Sequence, residues 1–177
     1  YYAHRGATVF AFEPMKSHYD AMIRNLSLNP ELAKRITPIN AAIGKDGMLK
    51  FYHSNRSDIA EVSSFVYNIH GDDAVVFDDV RGYSLSSAIR EFNIPYVDIL
   101  KTDCKGCEFY LTKEDLEKVD QVKIEYAAFE FTKHNLTELT KILDESGFEY
   151  MIYRINPNRE RSSNLLSGHL FGKKIKS

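Results

Sequence analysis

The sequence contains no tryptophan, only two cysteines, and no apolar run approaching the ~20 residues a helix needs to cross a bilayer. Two cysteines are too few for a disulfide framework, and Cys104 and Cys107 stand too close together to staple distant segments. The opening residues Tyr1-Tyr2-Ala3-His4-Arg5 lack the order of a secretory signal, so a cytoplasmic location is expected. Excess charge of one sign is also lacking. A formal charge of -2 and a pI near 6.3 give no bulk electrostatic reason to expect a nucleic acid or an anionic membrane as partner. The basic run Lys173 to Lys176 is short and reads as a solvated tail. Metal is not expected either. One C-x-x-C falls short of the four ligands of a structural zinc site, and the six histidines show no His-x-x-x-His spacing.

What is present is enough for one compact domain over residues 1–177, with 44% hydrophobic and 27% charged residues and no internal repeat. Thr8 to Phe12 is an apolar run rich in β-formers, closed by Glu13-Pro14, and predicts a buried parallel strand. Ser17 suits an N-cap for a helix carrying Tyr19, Met22, Ile23 and Leu26 at helical spacing, which Asn29-Pro30 stops. Ile36 to Ile43 predicts a second strand, and a Gly44-Lys45-Asp46-Gly47 turn leads into another over Met48 to His53. The polar stretch from Ser54 to Asp73 has no clear period and reads as a loop or lid. An edge strand over Ala74 to Arg81 and a helix over Ser84 to Phe92 follow. Tyr96 to Thr102 is a strand ending in Asp103, with a helix from about Cys107 to Lys118. Val122 to Glu125 is the next strand, and the helix through Leu136, Leu139, Ile142 and Leu143 ends at Gly147. Phe148 to Ile155 and Leu165 to Ile175 predict two last strands joined by a polar connection. Successive strand-helix units with a terminal strand pair predict an α/β fold: an open, mostly parallel sheet with helices on both faces and an antiparallel C-terminal end.

In such a sheet ligands bind beyond the carboxyl ends of the strands, which singles out Glu13, Asp103 and Glu125. Each alone is explained by a helix cap or a solvated loop. Three at one sheet edge exceed what capping requires. A carboxylate ending the second strand of a nucleotide-binding sheet accepts hydrogen bonds from both ribose hydroxyls, and Glu13 suits that use.

The sequence resembles the FkbM-type methyltransferases. The resemblance rests on Val9-Phe10-Ala11-Phe12-Glu13-Pro14, Asn25-Leu26-Ser27-Leu28-Asn29, Asn40-Ala41-Ala42-Ile43-Gly44 and the run from Val97 to Glu108, VDILKTDCKGCE. Ile124-Glu125 and the turn Glu145-Ser146-Gly147-Phe148 extend it to about residue 150. It implies a Rossmann-like domain binding S-adenosylmethionine, with Glu13 and Pro14 at the ribose, Asn40, Ala41 and Ala42 near the adenine, and Asp103 by the methyl group. It also implies a hydroxyl acceptor on a small molecule or glycan, Asp103 as the base that takes its proton, and Glu108 and Glu125 in support or on substrate. Nothing in the sequence fixes the subunit number, which leaves a homo-oligomer open.

The resemblance places a further strand and a glycine-rich turn upstream of Glu13, and nothing before Gly6 can provide them. Because the chain opens on Tyr1 rather than Met, the natural chain is expected to start earlier. Leaving about five backbone groups unpaired on each exposed inner edge, at ~1–3 kcal/mol per buried group, would rival the ~5–15 kcal/mol stability of a domain. Two other readings stand beside the methyltransferase. Cys104-Lys105-Gly106-Cys107 at a strand-to-helix junction is the pattern of a cytosolic dithiol protein, although the charges of Asp103 and Glu108 beside it work against a thiolate. A methyltransferase-like fold kept as a non-catalytic binding module is the other.

Overall fold

In a computed structural model the chain is an α/β domain, described over residues 1–54, 75–129, 135–154 and 165–175. A single 3-10 turn, Ala3–Arg5, precedes β1, Val9–Phe12. Helices α1, Lys16–Ser27, and α2, Pro30–Ala33, lead to β2, Ile36–Ile39. Next come β3, Ala42–Ile43, β4, Gly47–Ser54, and β5, Val75–Tyr83. Helix α3, Leu85–Glu91, then feeds β6, Val97–Asp103. A 3-10 turn, Cys107–Tyr110, and α4, Lys113–Leu116, connect β6 to β7, Val119–Phe129. The domain closes with α5, Leu136–Glu145, β8, Phe148–Arg154, and β9, Leu165–Lys174.

The strands form three hydrogen-bonded groups: β1-β2, β3-β5-β4 and β6-β7-β9-β8. Pairs β1/β2, β3/β5 and β6/β7 are parallel, while β4/β5, β7/β9 and β8/β9 are antiparallel. The alternation of β7 explains the core. Val122, Ile124 and Tyr126 are buried on one face with Leu170 of β9, against Leu116 of α4 and Leu139 and Leu143 of α5. The opposite face stays open among the described residues: Ile99 is 40% exposed, Met151 60% and Tyr153 52%. Glycine at 168 is required here, because a Cβ would lie 2.2 Å from the Tyr153 carbonyl and 2.6 Å from the Tyr126 hydroxyl oxygen.

Several expectations change. Strand β1 is half-buried rather than buried. The predicted strand over Ile36 to Ile43 divides into β2 and β3, because the chain leaves the ladder at Asn40-Ala41. Helix α1 is capped at Met15, with no side-chain cap from Ser17. Strand β5 is the middle of its sheet, not an edge. The helix expected from Cys107 to Lys118 is a 3-10 turn and one short helix, because Thr112 starts α4 with a capping box to Asp115. Glu125 does not close its strand, since β7 runs on to Phe129. The core-forming helices α4 and α5 lie on one face of the four-stranded sheet. Of the loop or lid read over Ser54 to Asp73, Ser54 ends β4 and the rest lies outside the described residues, as does the connection over 156–164.

Asp115 anchors the segment between β6 and β7. It is 1% exposed and accepts bonds from Ser86 N at 2.6 Å and from Thr112 N and Oγ1 at 2.8 Å. Asp115→Ala strands these donors and is expected to cost about 2–4 kcal/mol, against under about 0.5 kcal/mol for the exposed Glu117→Ala. Urea unfolding midpoints for both variants check this; equal losses would contradict it.

Candidate functional site

The edges of β1 and β6 define the site. Val9 and Glu13 donate their backbone N–H groups to Arg35 and Ile39 on the β2 side. By alternation, the N–H groups of Phe10 and Phe12 point away from β2. Val97 likewise donates to Lys118, at the start of the β7 ladder, so the amides of Asp98, Leu100 and Thr102 face away from β7. Between these two outward edges lies a cavity of about 1000 Å³, lined by residues 7–15 and 94–105. Pro38, lacking an N–H, suits β2 as an outer strand.

Of the residues singled out for cofactor or catalysis, Glu13, Pro14, Ala41, Ala42 and Asp103 line this cavity. Glu13 follows β1, and its Oε1 accepts the Met15 N–H at 2.9 Å and lies 3.9 Å from His18 Nδ1. Asn40 lies outside the lining and ties the end of β2 to the turn after β1, donating from Nδ2 to the carbonyls of Glu13 at 2.8 Å and Pro14 at 3.0 Å. The turn that carries Glu13 is therefore held from behind. Ala41 and Ala42 are buried, 2% and 3% exposed, and present small side chains where the chain passes from β2 to β3.

On the other wall, the parallel register pairs Asp103 of β6 with Glu125 of β7. Lys105 joins them: its Nζ lies 2.5 Å from Glu125 Oε1 and 3.4 Å from Asp103 Oδ1. Burial works against charge on Lys105, but the bond to Glu125 and the charges of Asp103 and Glu125 outweigh it and hold its pKa above the ordinary lysine value. Glu125 does not line the cavity and reaches it through Lys105. Glu108 is 0% exposed and serves the turn: its Oε2 accepts the Gly106 N–H at 2.8 Å. Cys104 and Cys107 are joined as a disulfide. The ligand atoms of Cys104, Cys107 and Glu108 lie within 4.8 Å of one another, but with the sulfurs bonded together no thiolate pair is offered to a metal.

The roles of two of these participants are not given by the sequence. The bridging role of Lys105 depends on the register of β6 and β7, which sequence alone does not give. His18 meets Glu13 only because α1 begins directly after the turn.

Acidic side chains at the ends of β1 and β6 thus meet at one cavity of an α/β fold, at the carboxyl ends of its parallel strands. Residues 1–150 match the methyltransferase FkbM domain, and the chain belongs to that family of methyltransferases. No curated protein and no solved structure matches the chain.

The Lys105 bridge has a pH signature. A lysine held above its unfolded pKa contributes stability in full below about pH 10.4 and loses it as pH climbs through the folded value. The difference in urea midpoint between the wild type and Lys105→Met should be flat from about pH 8 to 10 and shrink above that range. A difference that grows in alkali would contradict the bridge.

Proposed function

We propose that the mouth of this cavity, between Glu13 and Asp103 beyond the carboxyl ends of β1 and β6, binds S-adenosylmethionine and that the domain transfers its methyl group to a hydroxyl of a small molecule or glycan. The observation that carries this reading is that Glu13 and Asp103, from two different strands, line one cavity in a chain of the FkbM methyltransferase family. Among the described residues Glu13 engages its Oε1 only, which leaves Oε2 to receive a ribose hydroxyl. Asn40, by fixing the Glu13-Pro14 turn, holds that carboxylate ready, and Ala41 and Ala42 allow a flat ring to approach. When bound, the sulfonium supplies an activated methyl group for in-line displacement.

Asp103 is the residue assigned to the acceptor proton. Its carboxylate is 44% exposed at the cavity wall, so an entering hydroxyl can reach it. Lys105 fixes its orientation from one side and ties it to Glu125. Glu108 supports the arrangement by holding the turn after β6.

The same reading extends to the sheet. An extended strand lying between β1 and β6 would join β2-β1 to β6-β7-β9-β8 in a Rossmann-like sheet, and a glycine-rich turn after it would face the cofactor. Hydrogen exchange tests this part. The amides of Phe10, Phe12, Asp98, Leu100 and Thr102 should exchange at least about tenfold faster than those of Val9 and Val97 while the slot is empty, and slow when it is filled. Uniform protection of both sets would contradict the slot.

Calorimetric titration of S-adenosylhomocysteine tests the site. Glu13→Ala should weaken binding at least about tenfold, since a charge-assisted hydrogen bond contributes ~1.5–3 kcal/mol. Asp103→Asn should retain binding and lower methyl transfer by about 100-fold or more. Binding that ignores Glu13 would sink the assignment. Binding with no transfer to any hydroxyl acceptor would favour a non-catalytic module.

A further inference from the structure

The turn after β6 carries a feature that methyl transfer does not need. Cys104 and Cys107 close a small disulfide ring around Lys105 and Gly106, and Cys104, Lys105 and Cys107 all line the cavity. Inside the ring Lys105 has φ +51 and Gly106 φ +129. Glycine adopts such a conformation freely, but lysine does so at a cost, and surrounding structure must impose it. In this conformation the Lys105 ammonium lies across Asp103 and Glu125.

We propose that Cys104 and Cys107 form a reversible thiol-disulfide site that sets whether Lys105 stays clamped across Asp103 and Glu125. The consequence for methyl transfer rests on the function proposed above; the clamp itself does not. Cys104 is half-buried and Cys107 only 3% exposed, so the sulfur open to attack is that of Cys104. A thiolate of a dithiol reductant attacks Cys104 Sγ, the S–S bond breaks, and Cys107 leaves as thiolate and takes a proton. The second thiolate of the reductant attacks its own sulfur in the mixed disulfide and releases Cys104, which is also protonated. Two electrons and two protons pass to the protein, and the reductant ends as its own disulfide.

Both states have a defined neighbourhood. Cys104 Sγ lies 3.3 Å from Glu108 Oε2, the oxygen that also accepts the Gly106 N–H. A disulfide sulfur has no proton to give, whereas a thiol at the same place donates to that buried carboxylate. The reduced state thus has an acceptor waiting. What it loses is the ring that holds Lys105 in its left-handed conformation. Released, the turn relaxes, the ammonium leaves the two acids, and the cavity wall presents Asp103 without its counter-charge. Oxidation restores the clamp. The device would couple thiol redox state to the electrostatics of the cofactor cavity.

Amine footprinting of the whole chain tests this directly. Protein equilibrated with oxidised glutathione, or reduced with dithiothreitol and desalted, is acylated briefly with acetic anhydride, and each lysine is quantified by peptide mass spectrometry. Reduction should raise Lys105 acylation at least about fivefold relative to Lys113, the low end of ordinary coupling between two sites. The Cys104→Ser/Cys107→Ser variant should label at the reduced rate with or without reductant. Equal Lys105 labelling in the two states of the wild type, or a pair that remains dithiol in oxidised glutathione, would overturn the proposal. Calorimetry with S-adenosylhomocysteine on both forms separates the two claims. If neither form binds, the cofactor reading fails while the Lys105 result still judges the switch.

Discussion

Strand β7 is the element on which the rest of the molecule depends. Both of its edges are hydrogen-bonded, to β6 in parallel and to β9 antiparallel, and Val119, Val122, Ile124 and Tyr126 are all buried. Burying one such side chain contributes roughly 1.5–3 kcal/mol, so this one strand sets the packing of α4 and α5 and fixes the level at which β6 ends. That level matters chemically. Because Asp103 is in register with Glu125, two carboxylates meet on adjacent strands, and a cation is needed between them. Lys105 supplies it from two residues beyond the end of β6.

The two walls of the cavity are built by different means. The Glu13 wall is held by hydrogen bonds, with Asn40 fastening two carbonyls and the Met15 N–H holding the carboxylate. The Asp103 wall is held by charge and by a covalent ring. Hydrogen bonds of this kind change little with salt, whereas an ion pair at a partly exposed site weakens with it, and a disulfide is open to reduction. The wall assigned to the cofactor ribose is therefore the constant one, and the wall assigned to the acceptor is the adjustable one.

Much of this architecture was legible because it rests on local signals. Runs such as Thr8 to Phe12 and Tyr96 to Thr102 announced strands by their β-formers and closing acids, and Leu139 and Leu143 announced the buried face of α5. What was not legible depends on pairing. No local signal distinguishes β5 as a middle strand, since its neighbours β3 and β4 are brought to it by the turn at residues 44–47. The short reach of α4 was misread because Thr112 and Asp115 form a capping box that restarts the helix, and the apolar period alone runs straight through it. At the site, the acids were recognisable by position, but the bridge of Lys105 is a product of register, which sequence alone leaves undetermined.

The central claim is that the ligand of this domain lies beyond the carboxyl ends of β1 and β6, between Glu13 and Asp103. Direct photo-cross-linking with radiolabelled S-adenosylmethionine, followed by peptide mapping, tests it most plainly. The account predicts label on peptides within residues 7–15 or 94–105, competed away by S-adenosylhomocysteine. Specific label confined to the exposed face of β8 and β9, around Met151 and Phe171, would contradict it.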